Sequence, residues 1–286
     1  MVSVEIKVTF KKNEIKGDNM KRGKTIGIIA VKGGVGKTTT VSNLGTILAR
    51  DFGKKVLLVD ANFSAPNLGI HLGMVDPDNT LHDVLQDKVH ITEAIYEHDL
   101  GFHVVPSNLI HQKIDPFKLK NKLQPLKKHY DAIILDSSPN LNAEILATML
   151  AADELLVVTT PDYPTLSCTM HAVRVAKQRK TPITGIILNR VLNKNFELTL
   201  DEIEDATGVP VIAVLEDDHR MIESLSKTTP AAIHHPKRNT IVEYKKLAAF
   251  LVNENFTDER LSAKFKTMFG GIPRQEINRT LLKQER

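Results

Sequence analysis

Residues 31–40 read VKGGVGKTTT, and their chemistry is that of an anion cradle. Gly33, Gly34 and Gly36 carry no Cβ, so backbone N–H groups beside them and beside Val35 can turn inward toward phosphate oxygens. Lys37 brings a cation long enough to reach the β- and γ-phosphates, while the Thr38 hydroxyl suits Mg2+ and Thr39 continues the run. Such a loop works where it follows a strand and opens a helix, because the helix N-terminus adds its dipole to the bound anion. The strand is TIGIIA at 25–30, and the helix begins near Lys37. The run departs from the usual G-x-x-x-x-G-K-[ST] spacing: Val31 stands where the first glycine belongs, and an additional lysine, Lys32, follows it.

The elements that must position this loop are legible as short apolar runs at 25–30, 55–60, 102–106, 131–136, 154–160, 183–189 and 209–215. They are β-branched and nearly continuous rather than alternating, as strands buried on both faces are. Helical stretches lie between them, at 142–152, 164–180 and 199–207 for example. The order is strand and helix in repetition, which predicts an α/β fold. It is a single three-layer domain with a mostly parallel sheet flanked by helices, its ligands at the carboxyl ends of the strands. The chain divides into an N-terminal extension at 1–23 with an alternating edge-strand pattern, the domain proper at 24–256, and a basic tail at 257–286.

Composition narrows the class further. With 286 residues, 42% of them hydrophobic, the chain can bury one sizeable core. A formal net charge of +4 permits an anionic partner without requiring one. The single cysteine, Cys168, cannot form an internal disulfide and reads as a small packing residue. No run approaches the length of a membrane span and no secretory leader pattern opens the chain, so a soluble protein of a reducing cytoplasm is expected. The histidines, His234 and His235 included, lack the spacing of a metal set, and no metal beyond Mg2+ is expected.

The stretch KGGVGKT at 32–38 resembles the deviant phosphate-binding loop of the MinD/ParA family of dimerising ATPases, and the likeness extends over about residues 24–256. In that family the additional lysine reaches the partner subunit's nucleotide, which implies the same catalytic role for Lys32 in an ATP-dependent homodimer. The stretch VDANFSAPNLGIHLG at 59–73 is similar to the family's first switch segment. Asp60 matches its first acid, and Asn67, Leu68 and Gly69 match its end. Asn62 stands where the family has an aspartate that orients the attacking water, which implies slow hydrolysis of ATP to ADP and phosphate. YDAIILDSSPN at 130–140 is similar to the segment whose acid, here Asp136, holds Mg2+ with Thr38 and Asp60, partly through water. Pro139 and Asn140 open the second switch. The resemblance also makes Asn189 the reader of the adenine edge, Arg190 its companion, and Glu216 and Asp217 neighbours of the base. Leu215 replaces a proline usual there.

In the tail, Leu261, Phe265, Met268 and Phe269 fall on one helical stripe with Lys264 and Lys266 at its flanks. This resembles the short amphipathic helix with which MinD proteins attach to membranes, and it implies peripheral binding to an anionic surface on the inner face of the cell membrane. Beyond it, Ile277, Leu281 and Leu282 are free to form a second amphipathic turn, to extend the anchor or to bind a partner. The function so implied is an ATP switch that positions a cell-division or polar structure, with an activating or cargo protein as a further partner. Two alternatives stand beside it. One is a ParA-type partitioning ATPase with non-specific DNA contact; the other is a scaffold locked in its ATP state by Asn62.

Overall fold

The structure, a computed structural model, describes residues 23–109, 114–260 and 272–285. Its strands are β1 (Lys24–Ile29), β2 (Val56–Ala61), β3 (Tyr96–Glu97), β4 (His103–Val105), β5 (Ala132–Ser137), β6 (Glu154–Thr159), β7 (Ile183–Val191) and β8 (Val211–Glu216). They form one sheet in the order β3-β4-β2-β5-β1-β6-β7-β8. Every pairing is parallel except that of β3 with β4. The single three-layer α/β domain expected from the repeated strand and helix pattern is therefore what the chain forms. The addition is β3, two residues long, too short for any periodicity to announce.

Alternate residues of the strands feed opposite layers, which is why the runs are apolar throughout. Ile26 and Ile28 of β1 pack with Leu44 and Ile47 of α1 (Lys37–Arg50) on one face. On the other face, Ile29 packs with Ile145 and Met149 of α5 (Ala143–Ala151) and Val173 of α6 (Tyr163–Gln178). Four short helices complete the chain order up to the C-terminal half: α2 (Leu68–His71), α3 (Leu81–Leu85) and α4 (Leu119–Leu123) before α5, then α7 (Leu200–Thr207). In the middle of α1, Gly45 lets the helix lie against the sheet, since a Cβ there would stand 2.6 Å from Leu58 Cδ2. The α1 face also receives α8 (His219–Ser226), α9 (Ala231–His234) and α10 (Asn239–Leu251), with Tyr244, Leu247 and Phe250 of α10 fully buried.

The last described helix, α11 (Arg274–Gln284), docks on the edge strand β8. Arg279 is buried and donates to Glu243 of α10 at 2.7 Å and to the carbonyl of Ile212 at 2.6 Å. Asn278 donates to the carbonyl of Val211 at 2.8 Å. The β7–β8 register shifts at this point, so side chains of α11 satisfy carbonyls the ladder leaves over. Of the three apolar residues noted there, Leu282 packs on the core, whereas Ile277 and Leu281 remain exposed. Residues 1–22 and the stripe of Leu261, Lys264, Phe265, Met268 and Phe269 lie outside the described residues. Among the described residues, no helix is long and apolar enough to cross a membrane.

Candidate functional site

The strand order puts β1 between β5 and β6, with β2 beyond β5. The carboxyl ends of β1, β2 and β5 thus converge, and Asp60 pairs in register with Asp136. Gly34 and Gly36 adopt φ of +76° and +101°, backbone that side chains resist, and Gly36 is the N-cap of α1. The loop from Lys32 to Thr39 therefore wraps the helix N-terminus as a phosphate cradle does. Lys37 is buried at its rim, and burial lowers its amine's pKa while the Asp136 charge opposes the shift.

Thr38 donates its hydroxyl proton to Asp136 Oδ2 at 2.6 Å. Asp136 Oδ1 is buried without a partner, and so is Asn62 Oδ1. Two unpartnered acceptors, beside a threonine hydroxyl and a second carboxylate, fit a hydrated divalent cation, because buried acceptors are costly unless something donates or coordinates. Burial raises the pKa of both acids. For Asp60 the Asp136 charge adds to the rise, while for Asp136 the Thr38 hydrogen bond and Lys37 work against it. A positive charge arriving between them relieves that cost.

Asp60 also shapes its own loop. Its carboxylate accepts the backbone N–H groups of Asn62, Asn67 and Leu68 at 3.2, 3.0 and 2.9 Å. Asn62 donates its amide to the carbonyl of Ala65 at 2.5 Å, which Asn67 shares at 2.8 Å. Asn62 thus spends its donor on the loop and leaves its acceptor inward, a division an aspartate cannot reproduce. Ser64 donates to Glu144 in the first turn of α5, tying the loop after β2 to the helix that follows Pro139 and Asn140.

At the other rim, Asn189 donates to the carbonyl of Val35 at 2.7 Å, so the expected base reader also braces the phosphate loop. Arg190 follows at φ +58° in an irregular stretch of the β7–β8 ladder. Glu216 Oε2 accepts from Asn239 at 3.2 Å, and the Asp217 N–H donates to the carbonyl of Val191 at 2.9 Å. A cavity of about 1590 Å³ bordered by α10, α11 and residues 254–260 meets this rim at Asn193, Glu216 and Asn239 and does not reach the loop or its acids.

Lys32 has partners the sequence did not announce. Its amine donates to Thr165 Oγ1 at 2.7 Å and to Asp162 Oδ1 at 3.3 Å, at the N-terminus of α6. Burial works to raise the Asp162 carboxyl, but hydrogen bonds from Thr160, Thr165 and Lys32 outweigh it and hold it down at about 2. The signal available was Asp162 three residues before Thr165, a helix-cap spacing, which carries no hint of a lysine 130 positions away.

A parallel α/β sheet with a glycine loop, a buried lysine and two acids at its strand ends defines a P-loop nucleotide-binding protein. A family model described as an AAA domain matches residues 23–183. An uncharacterised ATP-binding protein of Methanocaldococcus jannaschii is 34% identical over 234 residues, covering 81% of this chain and 88% of that one. The cell division ATPase MinD of Pyrococcus furiosus is 35% identical with a TM-score of 0.75, over 79% of this chain and 97% of that one. The septum site-determining protein MinD of Pyrococcus horikoshii, solved with Mg-ADP, is 32% identical with a TM-score of 0.76, over 80% of this chain and 96% of that one. The chain belongs to the MinD/ParA family of P-loop ATPases.

Proposed function

We propose that this chain is an ATP-dependent dimerisation switch of the MinD type that binds a membrane surface peripherally and hydrolyses ATP slowly. The observation that carries the reading is the phosphate loop with a second lysine, Lys32, resting on Asp162 and Thr165 rather than built into the cradle. With ATP bound, the N–H groups of Gly33 to Thr39 and the Lys37 amine hold the phosphates, and Asn189, Arg190, Glu216 and Asp217 border the base. Thr38, Asp136 and Asp60 would hold Mg2+, partly through water, and the ion would supply neutralisation of phosphate charge. Lys32 leaves Asp162 and offsets charge on the partner's nucleotide, so a complete site needs two chains.

Asn62 Oδ1 can accept a hydrogen bond from the attacking water but cannot take its proton, so this residue positions water without serving as a base. That supports a deliberately slow turnover. Two dimer-borne copies of the 259–271 segment, each lysine worth about 1 kcal/mol near anionic lipid, make attachment depend on ATP. The output is placement of a cell-division or polar structure. Asn62 keeps one second reading open, a scaffold that dimerises with ATP and never releases it. Phosphate release under ATP and Mg2+ separates the two. Slow turnover by the natural chain, quickened in Asn62→Asp, supports the switch; no turnover with ATP-bound dimers present supports the scaffold.

A further inference from the structure

Tyr244 of α10 is 1% exposed, and its hydroxyl lies 3.0 Å from Thr40 Oγ1 in α1, across 204 positions of sequence. Thr40 has one hydroxyl proton, and it goes to the carbonyl of Gly36 at 2.9 Å. Tyr244 is therefore the donor in its own contact, and the hydrogen bonds run from Tyr244 to Thr40 to Gly36. The same carbonyl accepts the Thr40 backbone N–H at 2.9 Å. Burial pushes the Tyr244 phenol's pKa up, so the donor keeps its proton.

The Gly36 carbonyl and the Lys37 N–H belong to one planar trans peptide, so whatever fixes the carbonyl along the helix axis aims the N–H out of the first turn. Gly36, at φ +101° and without a Cβ, has no side chain of its own to fix that peptide. Threonine back-bonding within a helix is ordinary. A fully buried phenol that orients that threonine from another element is not. Asn43 adds a parallel tie, accepting the Ala232 N–H at 2.9 Å while donating to the Thr39 carbonyl at 2.8 Å.

We propose that Tyr244 is a positioning residue for nucleotide binding, holding the Gly36–Lys37 peptide through Thr40 so that the Lys37 N–H faces the phosphates. The proposal rests on the reading of this loop as the phosphate site. ADP with Mg2+ is the probe, because binding it requires neither dimer nor hydrolysis. Tyr244→Phe keeps the ring and removes one donor, and it weakens Mg-ADP binding measured by calorimetry about fivefold, the worth of one buried hydrogen bond. Thr40→Val breaks the same relay from the loop side and serves if the tyrosine variant loses its fold. Thr40→Ser retains affinity, and the Tyr244→Phe, Thr40→Val double variant is no weaker than Thr40→Val alone. A tyrosine variant within about twofold of the natural chain, or additive effects in the double variant, overturns the proposal. If the natural chain itself fails to bind Mg-ADP, the phosphate-site reading falls first and the relay with it.

Discussion

His82 lies against the loop that follows β2, through Phe63. Its ring is 3% exposed, meets Phe63 edge-on at 5.8 Å, and leaves Nδ1 without a partner. Burial lowers its pKa, although Asp83, the Phe63 backbone and Glu144 pull the other way. The unfolded chain takes up a proton near pH ~6.5, the folded chain only below that. Between those two values the unfolded state holds more protons, so stability is present above pH ~6.5 and is lost as pH falls through the window. His103, lowered mainly by burial, adds in the same sense. Asp60 and Asp136, whose carboxyl pKa values burial raises, act in the opposite sense over the same window, so the histidine contribution is read as a difference: in thermal melts of the nucleotide-free protein at pH about 7.5 and 5.5, His82→Asn, which cannot take up a proton, is expected to gain stability relative to the natural chain at the lower pH.

At the scale of elements, α11 is the feature whose docking the apolar pattern left open. Its anchor is an arginine: Arg279 and Glu243 have side chains 7% and 11% exposed and face each other at 2.7 Å. Removing one partner leaves the other buried and unpaired, so Arg279→Met is expected to cost about 3–5 kcal/mol in urea unfolding. Replacing both by apolar residues of similar volume recovers most of that loss. Equal damage from the single and double variants shows that the packing of α11, rather than the charge pair, holds the edge of β8. Because Glu243 and Tyr244 are consecutive, the same turn of α10 serves α11 on one side and the phosphate loop on the other.

For the whole molecule, the proposed cycle makes one lysine decide both size and location. Lys32→Ala is expected to leave Mg-ADP binding intact while abolishing the step from the 31.9 kDa chain to its ATP-bound dimer, measured by light scattering. Sedimentation with anionic vesicles disappears with the dimer, because a single copy of a short amphipathic segment binds weakly. Vesicle binding that persists in the monomeric variant separates attachment from dimerisation. Co-sedimentation with duplex DNA, falling steeply with salt, favours the partitioning alternative instead.

Much of this was legible in the sequence. Strand runs such as those ending at Asp60 and Asp136 are local patterns, and a glycine loop between a strand and a helix states its chemistry in consecutive residues. The short β3 was illegible because two residues carry no period. The Lys32–Asp162 pair, the brace from Asn189 to Val35 and the contact of Tyr244 with Thr40 join residues 130, 154 and 204 positions apart. No local spacing encodes such pairs. Sequence determined which residues could do chemistry and on which strand ends they sit, since those follow from nearest-neighbour backbone preferences and burial. Only the tertiary structure decided that Asn62 turns its donor to Ala65, that α11 closes the β8 edge through Arg279, and that a buried tyrosine of α10 meets Thr40 in the first turn of α1. Each of those depends on which elements the sheet order brings within the reach of one hydrogen bond.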